Sequence, residues 1–367
     1  MRISPFQAVF PNLDYITSAE SFFASVKTEY PEYAKSGLFE KRSREGIYIY
    51  RIKKPTREHT GLIACSDMRD YLDGRIVKHE NTLAAKEQKQ LQLMLRRQAM
   101  VKPILLTYPP VSAIQEWVRR NVTDRPPTFE VSFPEEEQTH AFWEVLDGTE
   151  IQEICALFRE KVARAYIADG HHRTASAALL DAKRKETDRL PLLSAFFPTT
   201  ELDIHDFNRV VEGLEELSLT RFMAYLSQLF NIEPTDAPQK PLAKHELLMF
   251  VNREWYRLRW RAEILEAADS ERPDALLDAY LLNERVFCDI FGIADVRTDL
   301  RVDYVEGPKG LDGLRRKTQR NPLAVGFALH PVKIEDLLRV ADSESVMPPK
   351  STWFEPRIKN GLIVLEI

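Results

Sequence analysis

Apolar positions along the chain fall into a few distinct patterns. Ile47-Tyr48-Ile49-Tyr50-Arg51-Ile52 and Gly61-Leu62-Ile63-Ala64-Cys65 are short, nearly continuous apolar runs and read as a pair of strands joined by a charged loop. Ile104 to Tyr108 and Leu192 to Phe197 read as buried strands, whereas Thr128–Phe133 and His140–Val145 alternate as strands with one buried face do. Helical spacing marks Ser18–Lys27, Val111–Arg120, Ile151–Lys161, Thr220–Phe230 and Ile334–Ala341. A further helix is expected from Thr82, as N-cap, through Met100, with Leu91, Met94 and Leu95 turned inward. Leu247–Val251 and Trp255–Trp260 form a hairpin candidate with Asn252 and Arg253 at its turn. Pro273 is expected to open a long helix from Asp274 to Phe291. Strands near Leu300–Val305 and Leu323–Leu329 flank a helix rich in Lys and Arg. These elements predict an α+β protein of mixed sheets with flanking helices. With 367 residues and a shift in composition near Ser218, two regions are expected, 1–215 and 216–367.

One stretch departs from all of these patterns. Arg164 to Leu180 reads RAYIADGHHRTASAALL, and changes from buried strand to turn to helix within a few residues. Asp169-Gly170 is the turn signal, since glycine takes positive φ without steric cost. His171, His172 and Arg173 then stand in the first helical turn, where free backbone N–H groups and the helix dipole favour an anion such as phosphate. Asp169 beside them is placed to act as a base or to hold a metal ion. Taken singly, each residue reads as a cap or a solvated side chain. Gathered at one strand-to-helix switch, they read as a ligand site.

Composition narrows the chemistry. A hydrophobic content of 44% and a charged content of 29% are those of an ordinary soluble globular protein. A net charge of −5 argues against a general nucleic-acid binder, and no basic helix-turn-helix stands out. Cys65, Cys155 and Cys288 lie far apart without paired spacing, so neither a disulfide framework nor a zinc site is expected. The opening residues lack a signal-peptide core and no apolar run reaches membrane-spanning length, so a cytoplasmic protein is expected. The HExxH spacing, the Gly-x-Ser-x-Gly elbow and Gly-rich phosphate loops are all missing, which leaves a helix N-terminus and basic side chains as the means of holding phosphate.

Three other places carry candidate chemistry. Met347-Pro348-Pro349 is stiff and presents Lys350, Ser351 and Thr352, a cation and two hydroxyls suited to an anionic ligand. Lys78-His79-Glu80-Asn81-Thr82 sets a base and an acid just before a helix; taken alone it reads as a charged capping segment. Ile204 to Val211 inserts polar groups between apolar ones at a strand end, and its Asn208 and Arg209 are counted with the substrate-binding groups.

Together, IVKHENT, KPILLTY, YIADGHHRTASA, IHDFNRVV and VMPPKSTWFEPRIKNGL resemble, in that order, the conserved blocks of the bacterial family called domain of unknown function 1015, from about Asp73 to the end of the chain. The Asp-Gly-His-His-Arg block also resembles the phosphate-binding motif of the ParB/sulfiredoxin-like superfamily, which includes kinases of free L-serine. The resemblance implies a ParB/sulfiredoxin-like core around this turn and a small-molecule phosphotransferase acting on serine or a related hydroxyl metabolite. ATP, ADP or pyrophosphate would be the donor, with magnesium. It implies Asp169, His171, His172 and Arg173 at the phosphoryl group, with Gly170 at the turn, and Glu80, beside His79, as an upstream carboxylate. Asp169, Glu80 and His172 are the catalytic candidates, and Lys350 would close the site. The sequence also departs from the family pattern. Leu83, Ala85, Lys89 and Gln90 stand where charged groups are usual, and the N-terminal Pro-Pro-Tyr-Asp-Val block is not recognisable. A binding protein that keeps a nucleotide or anion pocket without catalysis is the alternative. Oligomeric state and metal ligands are not fixed by the sequence.

Overall fold

A computed structural model of the chain describes residues 1–367 apart from 186–187, 216 and 269–271. The chain is α+β and packs as two compact units, residues 1–202 with 356–367, and residues 203–355. The expected division was after residue 215; residue 216, where the second region was expected to begin, lies outside the described residues. Among the described residues no helix is long and apolar enough to cross a membrane.

The first unit is built on a nine-stranded sheet. Across it run Ile76–Val77, Ala165–Asp169, Ile104–Tyr108, Pro191–Pro198, Glu58–Asp67, Ile47–Lys53, Gln138–Val145 and Phe129–Phe133, with Ile3–Ser4 added beside Glu58–Asp67. Ala165–Asp169 pairs parallel with Ile76–Val77, and Ile104–Tyr108 pairs parallel with Pro191–Pro198. The register brings Asp169, Ile104, Leu192 and Asp67 to one end of the sheet. Ser18 caps the helix Ala19–Lys35 as expected, its Oγ accepting from the Ser21 N–H at 3.3 Å. Thr82 does not cap the next helix. That helix runs Ala84–Arg97 from Leu83 without a side-chain cap, because the Thr82 hydroxyl bonds the Glu87 carboxylate instead. It packs against the helix His171–Asp181, where Ser176 Oγ donates to the Glu87 carbonyl at 2.8 Å.

The second unit carries a six-stranded sheet in the order Phe230–Pro234, Glu254–Trp260, Glu246–Val251, Ala324–Leu329, Phe207–Glu212, Val302–Glu306, antiparallel throughout. Its hairpin turns on Asn252 and Arg253, with φ of 49° and 66°, the paired positive values of a tight two-residue loop. Alternation sends Val211, Leu247 and Met249 into one core with Phe222 and Phe287, and Val210, Leu248 and Ala328 into another with Leu314. The long helix expected from Asp274 is not continuous: a four-residue α-turn, Asp278–Leu281, passes into a wide π-turn, Leu282–Cys288. Two features account for this. Asp278 is buried and accepts from the His245 N–H at 3.0 Å and from Trp260 Nε1 at 3.1 Å. The buried pairs Leu281-Leu282 and Val286-Phe287 repeat at the i→i+5 spacing that a π-turn keeps on one side.

Candidate functional site

The strand Ala165–Asp169 is buried as far as Ala168, and its pairing with Ile104–Tyr108 slips between Ile167 and Asp169. That bulge at Ala168 re-aims the Asp169 side chain at the sheet end. Gly170 follows with φ of 113°, and its carbonyl accepts the Thr174 N–H at 2.9 Å, the first bond of the helix. The helix start expected at His171 is therefore built by a bulge and a glycine.

Asp169 is ringed by cations. Arg173 Nη2 donates to its Oδ2 at 2.8 Å, Lys102 Nζ lies 3.4 Å from the same oxygen, and Arg357 Nη1 lies 3.7 Å from Oδ1. Burial by itself would raise the carboxyl, but Lys102, then Arg173 and Arg357, outweigh it and hold it well below the usual carboxylate range. Arg173 is tied down further, its Nη1 donating to the carbonyls of Lys102 at 3.2 Å and Pro103 at 2.8 Å. Burial lowers the Lys102 ammonium to about 8, against the opposing pull of Asp169.

These groups border a cavity of about 260 Å³. Four cations reach it, Lys27, Arg97, Lys102 and Arg173, and Asp169 is the only acid among its described lining residues. Arg97 donates Nε to the carbonyl of Leu93 at 2.8 Å, and burial followed by repulsion from Arg173 brings it down to about 10. Met94, Met100, Ile104 and Leu192 supply apolar walls, and Gln90 and Asn360 complete the polar rim. Burying a net positive charge is costly unless an anion joins it, so the lining is matched to a ligand with more than one negative charge.

The expected residues are distributed unevenly over this picture. His79 and His171 are brought together, both buried, with ring centroids 4.5 Å apart and planes at 83°. Burial brings His79 down to about 4; burial and then His79 hold His171 well below its ordinary value. Both shifts favour the neutral imidazole. His172 is half-buried at the next helical position. Glu80, the residue after His79, is half-buried and is not among the residues that line the cavity. Asn208, Arg209, Lys350, Ser351 and Thr352 belong to the second unit. There Asn208 accepts from the Leu329 N–H at 3.1 Å, and fully buried Arg209 donates to the Phe207 carbonyl at 3.1 Å. Lys350 stands over the Phe207 ring at 5.2 Å, with a left-handed backbone at φ 55°. Ser351 Oγ donates to the Pro348 carbonyl at 2.7 Å. Sequence reasoning missed Lys27, Arg97, Lys102 and Arg357, which come from four separate segments and share no local spacing. Two of them stood inside quoted blocks, Lys102 at the start of KPILLTY and Arg357 in VMPPKSTWFEPRIKNGL.

A family model described as protein of unknown function (DUF1015) matches residues 9–280. The chain belongs to this family. The match takes in most of the region before Asp73, where no block was recognisable, and stops before the Met347–Thr352 loop. No curated protein matches the DUF1015 chain. Solved structures that resemble it include a C-terminally truncated SbnI from Staphylococcus aureus, 11% identical over 82% of this chain and 87% of that one, with a TM-score of 0.42. A free serine kinase in complex with AMP is 11% identical over 82% and 92%, TM-score 0.41. A conserved hypothetical protein from Pyrococcus furiosus is 11% identical over 83% and 94%, TM-score 0.41. Likeness at this level is one of general arrangement and carries no activity across.

Proposed function

We propose that the first unit is a phosphoryl-handling site and that the protein is a small-molecule phosphotransferase, acting on the hydroxyl of free L-serine or a related metabolite. The observation that carries this reading is the cavity at the start of helix His171–Asp181, where Lys27, Arg97, Lys102 and Arg173 face a single carboxylate, Asp169. Phosphoryl transfer asks little covalent chemistry of a protein; it asks for positive charge around the phosphoryl oxygens and a group to take the acceptor's proton. The cations supply the first. Asp169 supplies the second once an incoming phosphate draws Lys102 away, because Lys102 is the largest of the attractions that depress its carboxyl. The hydroxyl proton then passes to Asp169 and the hydroxyl oxygen bonds to phosphorus. The bond to the donor's leaving oxygen breaks, with its electrons staying on the donor. Arg173, tied to two carbonyls, keeps Asp169 in place throughout. Glu80 and His172 are assigned to the same chemistry by motif resemblance.

ATP, ADP and pyrophosphate all fit the charge of the lining. A protein-built magnesium site does not: among the described residues no three His, Cys, Asp or Glu side chains gather to hold a metal, and the carboxylate at hand is outnumbered by cations. Magnesium would then arrive on the donor's own phosphates.

The test is phosphorus NMR of the protein with magnesium, L-serine and each donor in turn. A new phosphomonoester resonance is expected, lost in Asp169→Asn, with circular dichroism checking that the variant is folded because the change leaves three cations without their carboxylate. Retained turnover in that variant removes Asp169 from the mechanism. A second reading, an anion-binding protein without catalysis, is favoured by one observation: Gln90 lines the cavity at a position where the resemblance calls for a charged group. Ligand-induced thermal stabilisation with no new resonance, across a wide acceptor panel, would select it.

A further inference from the structure

The cations of the cavity are not equivalent. The Arg173 guanidinium is bonded to Asp169 and to the carbonyls of Lys102 and Pro103, and a Cβ on Gly170 would lie 2.9 Å from its Nη2. It has little freedom to follow a ligand. Arg357 stands 3.7 Å from the other carboxylate oxygen and does not line the cavity. Lys102 differs from both. Lys102 lines the cavity, its ammonium meets Asp169 at a loose 3.4 Å, and its stem is a flexible four-carbon chain. Asp169 keeps two guanidinium partners if Lys102 leaves, so the move strands no buried acid.

We propose that Lys102 is the residue that captures the incoming anion, exchanging Asp169 for an oxygen of a tetrahedral oxyanion while Arg173 and Arg357 hold the carboxylate. The inference rests on reading this cavity as an anion site; it does not require phosphoryl transfer. Lys102 is the binding residue and Arg173 the positioning residue. The charged groups acting on Lys102 are Asp169 from the strand, Arg173 from the helix it leads into and Arg357 from the segment 356–367, and Arg97 and Lys27 from two flanking helices line the same cavity. With Lys102 at about 8 and Arg97 at about 10, the Lys102 ammonium is expected to lose its charge between pH 6.5 and pH 9 and to do so before Arg97. Only its charged form pairs with an anion, so anion affinity must fall over that interval.

Sulfate is the probe, because it stays a dianion throughout and any pH dependence belongs to the protein. Calorimetric titration of the full chain is expected to show affinity about tenfold weaker at pH 9 than at pH 6.5, the factor set by one pH unit beyond the amine's midpoint. Lys102→Arg should bind at both pH values with the fall abolished, and Lys102→Met should bind weakly at both. Wild-type affinity in Lys102→Met, an undiminished fall in Lys102→Arg, or no saturable sulfate binding by the wild type would each overturn the inference. Phosphorus NMR separates it from the transferase reading. Full turnover in Lys102→Met sinks the inference and leaves the transferase. Lys102-dependent sulfate binding in a protein that forms no phosphomonoester does the reverse.

Discussion

At the scale of single residues, the buried imidazoles decide how the first unit responds to acid. His79 is 2% exposed and packs on His171, and burial holds its pKa at about 4, against about 6.5 in an unfolded chain. Between those values the unfolded chain binds the proton and the folded one does not. Stability is therefore complete above about pH 6.5, falls as pH drops toward 4, and loses nothing more from this group below that. The loss on account of His79 is at most about 3 kcal/mol, since each tenfold difference in proton affinity between the folded and unfolded chain is worth about 1.4 kcal/mol. His171 acts in the same direction, as does His140, which burial brings down to about 3 beneath its bond to the Tyr50 hydroxyl. Asp169, depressed by its cations, titrates below this interval. Urea midpoints at pH 7.5, 5.5 and 4.5 should fall in that order, and His79→Gln should flatten part of the slope. An unchanged slope would mean that His79 titrates alike in both states.

At the scale of elements, the strand-to-helix turn shows what the sequence could and could not reveal. Asp169-Gly170 marked the turn correctly, and the Ala-rich stretch after it marked the helix. Glycine is required there twice over: φ is 113°, and an added Cβ would lie 2.9 Å from Arg173 Nη2 and 3.0 Å from Ile104 Cγ2. Gly170→Ala is expected to destabilise the first unit by roughly 1–3 kcal/mol, the cost of a strained backbone, and to weaken sulfate binding by pushing Arg173 off Asp169. Equal denaturant midpoints and equal affinity in the variant would remove both roles. Strands such as Ile104–Tyr108 were legible because burial leaves a run of apolar side chains, and the hairpin at Asn252-Arg253 because its flanks alternate. The bulge at Ala168 was not, since slipped pairing depends on a partner strand distant in sequence. Thr82 misled for a related reason: its hydroxyl has a competing partner in Glu87, and which one it takes is a matter of packing. The four missed cations converge from separate segments, and convergence of that kind has no period.

At the scale of the molecule, the segment 356–367 matters most, because it returns to the first unit after the chain has built the second. Leu365–Glu366 pairs with Ala99–Met100, Val364 bridges to Val9, and the Gly361 N–H donates to the Val101 carbonyl at 2.6 Å. Ile358, Leu362, Ile363, Val364 and Leu365 are all buried. At about 1.5–3 kcal/mol for each side chain, their burial is comparable to the whole stability of an ordinary domain. The same segment brings Arg357 to Asp169 and Asn360 to the cavity, so it serves the core and the site together. A chain ending at Glu355 should therefore lose the first unit and keep the second, whose six strands pair among themselves. Amide exchange read by mass spectrometry should show protection lost across the strands of residues 1–202 and kept in Glu246–Val251 and Ala324–Leu329. Arg357→Ala in the full chain separates the two roles. It should leave protection unchanged and ease the Asp169 carboxyl upward, because one of its three cations is gone while the five buried side chains remain. Protection retained over residues 1–202 in the shortened chain would show that the segment decorates a core already complete without it.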